Sequence, residues 1–230
     1  MGGKSRESRA TSRESRERTF RRRLLRWFQR HGRDLPWRRT RDPYQVLVSE
    51  VMLQQTQVSR VEEYYPRFLT AFPTLRHLAL APPRAVREQW DGLGYYRRAA
   101  NLHALARTVV SDHDGEIPRD ADQLRALPGV GRYTAGAVLS FAFEQSAPAV
   151  DTNVARVIRR AFHPRAGQDA RGTHKVWETA ARLVPRAGNG AWTFNQAIME
   201  LGALICTARL KRCEECPVAR LCSTGRRVVG

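Results

Sequence analysis

The sequence predicts an all-α protein. Apolar residues recur at helical spacing between Phe20 and Phe28, and Gly32 and Pro36 end that helix. Prolines and glycines divide the remaining chain into short segments. No series of alternating polar and apolar residues with hairpin turns indicates a sheet. The pattern therefore favours many short helices joined by tight connections.

Further helices follow from the apolar spacing between these breaks. The stretch 44–58 (YQVLVSEVMLQQTQV) is apolar enough for a strand or a helix, and the spacing of Leu47, Val51 and Gln54 favours one helix. An Ala-rich helical run ends near Phe143. Other helices are expected at about 60–71, 75–79, 83–91, 96–112, 120–126, 152–162, 173–184 and 193–205.

Composition excludes several classes of protein. The 230 residues are 42% hydrophobic, which is enough to form a sizeable interior and argues against a disordered chain. No apolar run approaches the roughly 20 residues of a membrane span. The first 18 residues are polar and lack the apolar core of a signal peptide. Membrane proteins, secreted disulfide scaffolds and repeat arrays are thus excluded, and a cytoplasmic protein is expected.

The charge indicates a polyanionic partner. Lys and Arg number 40 against 22 Asp and Glu, so the net charge is +18. A generally basic proteome is the simple alternative, but nucleic acid is favoured. Residues 1–18 are almost devoid of apolar side chains and predict a disordered basic arm that adds salt-sensitive affinity for phosphates. Residues 31–230 remain strongly basic without it.

Four cysteines lie in the last 25 residues, with the spacing C-x6-C-x2-C-x5-C. Four thiolates can hold a tetrahedral zinc ion or a 4Fe–4S cluster. A zinc ribbon normally has two CxxC pairs, whereas this chain has one, so the cluster is favoured and zinc stays open. The cysteines are Cys206, Cys213, Cys216 and Cys222, and Arg and Lys residues surround them.

A glycine-rich turn separates two helical patterns. Its residues are Leu127, Pro128, Gly129, Val130 and Gly131. Two glycines allow a sharp turn, and amides at the start of the next helix can bind a phosphate without reading sequence. A GxG turn is more often a plain connection, but in a basic chain with Arg132 beside it a phosphate clamp is favoured.

Two carboxylates are candidates for catalysis. Glu50 lies in the most apolar stretch of the N-terminal half, where burial would favour a protonated acid, although spacing alone favours an exposed helix position. Asp151 precedes a helix, where an N-cap is the simplest interpretation. One protonated and one ionised carboxylate suit cleavage of a glycosidic bond. The six histidines show neither ligand spacing nor a nucleophile pairing and are interpreted as structural.

Together these segments resemble the helix-hairpin-helix DNA glycosylases that carry an iron–sulfur cluster, with most similarity to the MutY-type adenine DNA glycosylases. The likeness covers about 19–224 and rests on LPWR, DPYQVLVSEVMLQQTQV, GLGYYRRAANL, LPGVGRYTAGAVLSFAF, VDTNVARVIRR, FNQAIMELGALICTAR and the cysteines. The resemblance implies two helical lobes with DNA in the cleft between them. Residues 41–145 would form a helical barrel lobe, and residues 19–40 with 146–230 a cluster lobe.

The resemblance also implies roles for individual residues. Glu50 matches the general acid that protonates adenine, and Asp151, supported by Asn153, the carboxylate that stabilises the sugar cation. Tyr133 matches the catalytic tyrosine of many members. Bifunctional relatives such as endonuclease III carry a lysine nucleophile there, so base removal without strand cleavage is expected. Residues matched to DNA contact are Gln54 and Tyr95 as wedges in the base stack and Leu127, Gly129, Val130, Gly131 and Arg132 in the hairpin. Trp37 and Arg38 match the wall of the base pocket.

The resemblance implies a monofunctional glycosylase of base excision repair that hydrolyses the N-glycosidic bond of adenine mispaired with 8-oxoguanine or guanine. It also implies one 4Fe–4S cluster per chain and double-stranded DNA as partner, with a place at the nucleoid. A monomer is expected because no leftover apolar helix face is evident in the sequence. Longer adenine glycosylases continue into a domain that recognises 8-oxoguanine, whereas this sequence ends eight residues after Cys222. Thymine or uracil removal from T:G or U:G mismatches is one alternative, and a non-catalytic cluster protein that binds DNA is another.

Overall fold

The computed structural model describes residues 3–186 and 190–229, with side chains from residue 12 onward. The all-α prediction is confirmed within these ranges, where the only extended pairing is an isolated bridge between Cys206 and Lys211. No described helix is both long and apolar enough to cross a membrane. The helices are α1 (Gly3–His31), α2 (Pro43–Leu53), α3 (Val58–Ala71), α4 (Leu75–Leu80), α5 (Pro83–Gln89), α6 (Arg97–Asp112), α7 (Ala121–Ala126), α8 (Arg132–Phe141), α9 (Thr152–Phe162), α10 (Ala170–Leu183), α11 (Gly190–Leu204) and α12 (Arg226–Val229).

The chain divides into two compact units. The terminal unit joins the residues up to Arg33 to those from Ser146 onward, and the central unit comprises Asp34–Gln145. In the terminal unit, α11 packs against α1 and α9, and α10 packs against α9. Its core includes the fully buried Phe20, Ile158 and Phe194. Along α9, for example, the buried residues Val154, Val157, Ile158 and Ala161 recur at helical spacing, so the helix buries one face.

Helix α1 corrects the expectation of a disordered arm over residues 1–18, of which residues 1 and 2 lie outside the described range. No proline interrupts the helix. Near its middle, the Arg16 guanidinium donates to the carbonyls of Ala161 and Leu221 at 2.7 and 2.6 Å. The buried Glu17 accepts from Arg182 Nε at 3.2 Å. Composition alone could not predict this helix, because the residues that anchor it, Arg16 and Glu17, are charged.

The central unit packs α2 against α3 and α8, and α4 and α5 against α6. The rings of Phe68 and Trp90 meet edge to face, with centroids 5.7 Å apart. Residues 34–40, expected with the cluster lobe, belong here instead. The reason is visible at Trp37, which is buried with its ring edge-on to Tyr65 at 5.7 Å.

The helix expected over 44–58 is in fact α2 and the start of α3, separated by a turn. Asp42 caps α2 by accepting from the amides of Tyr44 and Gln45, and α2 ends at Leu53. Gln55 then adopts a left-handed backbone with φ of 57°. Helical spacing of apolar residues continues across this turn, so the sequence pattern could not locate it.

Candidate active site

Glu50 lies on α2 and is buried in the central unit, with 4% of its surface exposed. The exposed position that spacing alone favoured is therefore wrong. Its Oε2 accepts a hydrogen bond of 2.5 Å from the Tyr133 hydroxyl. Tyr133 lies in the first turn of α8, and α8 packs directly on α2. The structure thus brings together two of the predicted site residues, which are 83 positions apart in sequence.

The glycine hairpin connects α7 to α8. Gly129 has φ of +76°, and a Cβ there would lie 2.8 Å from Asn101 Cβ, so both conformation and space require glycine. Gly131 is the N-cap of α8, and nothing lies within 4 Å of a Cβ built on it. The side chains of Leu127 and Val130 are buried and anchor the turn. For these two residues, a DNA contact can involve only the backbone.

Asp151 is the N-cap of α9 in the terminal unit, as its position in the sequence predicted. Its Oδ1 accepts from the Val154 amide at 2.7 Å, and its Oδ2 accepts from Asn153 Nδ2 at 2.8 Å. Burial raises the pKa of Asp151, while these two donors and the nearby Arg156 oppose that shift. The carboxylate is therefore both oriented by hydrogen bonds and poorly solvated.

Arg156 continues this network one turn further along α9. Its Nη2 donates to Asn153 Oδ1 at 2.7 Å and to the Gly202 carbonyl at 2.8 Å. Its Nε donates to the Cys206 carbonyl at 2.7 Å. A continuous chain of hydrogen bonds thus runs from Cys206 to Asp151. Sequence reasoning missed Arg156 because nothing in its spacing distinguishes it from the other arginines of α9.

Asn195 holds the segment that leads into Asp151. This side chain of α11 is buried, its Nδ2 donates to the Ala147 carbonyl at 2.9 Å, and its Oδ1 accepts from the Ala149 amide at 3.3 Å. An amide can satisfy a backbone donor and a backbone acceptor at once. The only sequence signal was a polar residue within an apolar helix pattern.

The four cysteines line one cavity of the terminal unit, which also contacts Arg160, Lys211 and Arg212. Arg160 Nη1 and the Gly225 amide donate to the sulfurs of Cys206 and Cys222, each at 3.2 Å. Burial, reinforced by the neighbouring cysteines, raises the pKa of Cys216 to about 12. Among the described residues, no group of three His, Cys, Asp or Glu side chains is arranged to hold a single metal ion.

The predicted wedge residues lie on two loops of the central unit. Gln54 is half-buried at the end of α2, and Tyr95 is 62% exposed in the turn before α6. Tyr95 has φ of 47°, between the left-handed Gly94 and the start of the helix. An exposed aromatic ring on a strained turn is unusual at a protein surface. Such a ring is suited to contact with a ligand.

Arg38 and Trp37, the predicted pocket wall, lie in a short 3-10 turn over Pro36–Arg38. Trp37 is buried, whereas Arg38 is half-buried. Histidines, interpreted as structural, include His163, whose Nε2 is 2.8 Å from Thr179 Oγ1 and whose pKa is lowered by burial. The roles of Trp37 and Arg38 as the wall of a base pocket remain predictions.

Comparison with known protein families identifies the family of this chain. Residues 48–185, which include Glu50, the glycine hairpin and Asp151, match the model of the HhH-GPD superfamily base excision DNA repair proteins. The chain therefore belongs to the HhH-GPD superfamily.

Its relatives narrow the class. The adenine DNA glycosylase of Rattus norvegicus is 48% identical over 222 residues, covering 91% of this chain and 42% of the relative. That of Mycolicibacterium smegmatis is 48% identical over 197 residues, covering 85% and 66%. A solved thermostable thymine-DNA glycosylase matches with a TM-score of 0.85 and 34% identity, covering 93% of this chain and 98% of that one. The chain thus spans less than two thirds of the length of each of these two adenine DNA glycosylases.

Proposed function

We propose that this chain is the catalytic part of an adenine DNA glycosylase of base excision repair. It would hydrolyse the N-glycosidic bond of adenine paired with 8-oxoguanine or guanine. The observation that carries the proposal is the buried Glu50, hydrogen-bonded to Tyr133, in a chain that also presents an N-capping Asp151. The 48% identity to adenine glycosylases favours adenine over the thymine alternative, whose structural relative is 34% identical.

The two carboxylates have environments suited to different tasks. Glu50 would give its proton to the departing adenine. Burial favours the protonated form of a carboxyl group, and only that form can donate a proton. Asp151, already held by the donors of Val154 and Asn153, would stay ionised and stabilise the positive charge that develops on the sugar. Adenine would leave with that proton as the N-glycosidic bond breaks. Water would then form the bond to the anomeric carbon, and the proton that it loses would return to the Glu50 carboxylate.

Tyr133 would orient the Glu50 carboxyl group rather than attack the sugar. A phenol cannot form the imine with which a lysine cleaves the strand. The product would therefore be an intact strand with an abasic site.

Double-stranded DNA with a mismatched base pair is the proposed partner of the monomer in the cytoplasm, at the nucleoid. The net charge of +18 supplies the sequence-independent attraction to phosphates. Gly131 and the start of α8 would bind one backbone phosphate through amides. Gln54 and Tyr95 would fill the space left by the extruded base, and Trp37 and Arg38 would line the pocket that receives it.

The four cysteines would hold one 4Fe–4S cluster. The fit rests on the four cysteines that line one cavity and on the hydrogen bonds that Arg160 and the Gly225 amide donate to two of their sulfurs, because sulfurs that bind a cluster accept such hydrogen bonds. When bound, the cluster would supply a rigid anchor for residues 206–222. Anaerobically purified protein should absorb at about 400 nm and contain about four irons and four sulfides per chain. One zinc per chain and no iron would contradict this assignment.

The function is tested with four duplexes carrying A:8-oxoguanine, A:G, T:G or U:G. Each is incubated with the protein and analysed with and without alkali, which cleaves abasic sites. The proposal predicts alkali-dependent cleavage at adenine in the first two duplexes. Cleavage restricted to T:G or U:G would replace adenine by the pyrimidine alternative, and no cleavage in any duplex would favour the non-catalytic one. Cleavage without alkali would show a lyase.

A further inference from the structure

Arg98, on the first turn of α6, makes an unusual set of contacts. Its side chain is buried, and the guanidinium donates to five backbone carbonyls and one hydroxyl of the central unit. Nη1 contacts the carbonyls of Val51 at 3.1 Å, Met52 at 2.8 Å and Gln54, while Nη2 contacts Thr56 Oγ1 at 3.0 Å and the carbonyls of Leu93 and Gly94, both at 3.2 Å.

The hydrogen-bond partners of the Arg98 guanidinium given above, within the described residues, include no carboxylate. Burial lowers the pKa of Arg98, and the rings of Trp90 and Tyr95 lie 5.4 and 5.5 Å from its Cζ. The carbonyls of Val51 and Met52 belong to the last turn of α2, the negative end of the helix dipole, where a cation is favourable. Arg98 therefore caps α2 from another helix.

The other four contacts of Arg98 fall on two separate loops. The first, loop A, comprises residues 54–57 and carries Gln54, while the second, loop B, comprises residues 91–96 and carries Tyr95. Each loop contains a non-glycine residue with positive φ, Gln55 at 57° and Tyr95 at 47°. Such conformations persist only where surrounding contacts hold them. The planar guanidinium has five N–H donors and reaches both loops at once. The ammonium group of a lysine has three donors and lacks this planar geometry, so it cannot make the same set of contacts.

We infer that Arg98 is a positioning residue that holds loop A and loop B as one rigid unit, so that Gln54 and Tyr95 enter the base stack together. Arg98 touches neither base nor sugar in this role. The inference rests on the proposed function for its consequence in catalysis, but the rigidity itself is a property of the free protein. Preorganised loops would save the cost of ordering Gln54 and Tyr95 in the step that extrudes the base, after the phosphates have bound, because both loops are already fixed before that step.

Hydrogen exchange tests the rigidity directly. Arg98→Met keeps the apolar length of the side chain and removes all six donations. The amides of loop A and loop B should exchange at least about tenfold faster than in the wild type, while the α8 amides stay protected. The neighbouring Arg97→Met, an exposed change that removes the same charge, should leave both loops at the wild-type rate. Wild-type exchange in either loop of Arg98→Met would overturn the inference.

Arg98→Lys separates geometry from charge. It should leave both loops faster than the wild type, whereas full protection would show that a charge alone suffices and would overturn the inference. If Arg98→Met fails to give a wild-type far-ultraviolet dichroism spectrum, Thr56→Val provides the decisive measurement, because it removes one donation in loop A only. Faster exchange in loop B of Thr56→Val would support the coupling, and unchanged loop B would contradict it.

Activity supplies the second readout. Arg98→Met should lower the single-turnover rate of adenine excision by about 100-fold, because a small misplacement of the wedge prevents extrusion of the base. Affinity for the duplex should change little, since phosphate contacts dominate it. Equal losses of rate and affinity would contradict positioning. If the wild type excises no base, the proposed function fails, and the exchange experiment still decides whether Arg98 couples the loops.

Discussion

The two candidate catalytic carboxylates are held in different ways. Glu50, in the central unit, is buried on an apolar helix and meets the neutral hydroxyl of Tyr133. Asp151, in the terminal unit, stands at a helix N-terminus, accepts from Val154 and Asn153, and is joined through Arg156 to the backbone of Cys206. Glu50 thus meets a side-chain hydroxyl from a neighbouring helix, whereas Asp151 accepts from a backbone amide at a helix N-terminus and from a side-chain amide.

The difference supports the proposal that two similar side chains perform opposite tasks in catalysis. Desolvation favours the protonated form of an acid, and donors at a helix N-terminus favour the ionised form. A carboxylate that keeps its charge despite burial is poorly solvated by water, so it interacts strongly with a cation that forms beside it. The sites can be tested separately because each lies within its own compact unit.

The largest effect is expected for Asp151→Asn. Asparagine preserves the N-cap but not the charge, so excision of adenine should fall by roughly 1000-fold. Affinity for the mismatched duplex, measured by fluorescence anisotropy, should stay close to that of the wild type. Asp169→Asn is the matched control, because Asp169 caps α10 through the Gly172 amide in the same way and is exposed. Parallel loss of binding and turnover in Asp151→Asn would contradict a catalytic role.

A smaller effect is expected for Arg156→Met, which removes the link between Asn153 and Cys206. The turnover rate should fall by about 10- to 100-fold, comparable to the loss of an outer partner in a metal site. Iron content should stay at the wild-type value. Arg171→Met, an exposed change on α10, should leave the rate unchanged. Wild-type turnover in Arg156→Met would show that Asp151 needs no support beyond Asn153.

Tyr133→Phe should reduce the rate of excision by only about 3- to 10-fold, as expected for one lost hydrogen bond. The phenyl ring keeps the packing of α8 on α2, so thermal unfolding should change little. A loss as large as that of Asp151→Asn would show that the hydroxyl takes part in the chemistry, and the assignment of Tyr133 as an orienting residue would be wrong.

The smallest effect concerns stability. Burial raises the pKa of Asp151 in the folded protein above its pKa in the unfolded chain. The free energy of unfolding therefore falls as the pH rises from the pKa of the unfolded chain to that of the folded protein. Asp151→Asn should therefore unfold at a higher temperature than the wild type at about pH 7, and the gain should shrink toward about pH 3, below the ordinary value for aspartate. A gain of equal size at both pH values, measured by calorimetry, would rule out a contribution from ionisation.

Much of the fold could be predicted because local signals agreed with it. The helices α3, α4, α6, α7 and α9 follow the predicted ranges to within a few residues, since proline and glycine mark their ends. Gly129 and Gly131 likewise lie in the predicted turn. Asp151 follows a general capping rule, so its local role could be predicted without tertiary information.

What could not be predicted depends on partners distant in sequence. Residues 54–57 contain no proline or glycine that would mark a helix end, whereas in the structure Arg98 binds the carbonyls of Met52 and Gln54 where α2 ends. Arg16 and Glu17 have the composition of a disordered basic segment, yet their partners on the C-terminal part of the chain hold them in a helix. Buried charged residues of this kind have no signature in composition or periodicity.

The role of Glu50 is tested most directly by chromatographic detection of free adenine from an A:8-oxoguanine duplex under single-turnover conditions. The wild type and Glu62→Gln, an exposed control on α3, should release adenine at equal rates, whereas Glu50→Gln should be at least about 100-fold slower. Release of adenine by Glu50→Gln at the wild-type rate would contradict the account.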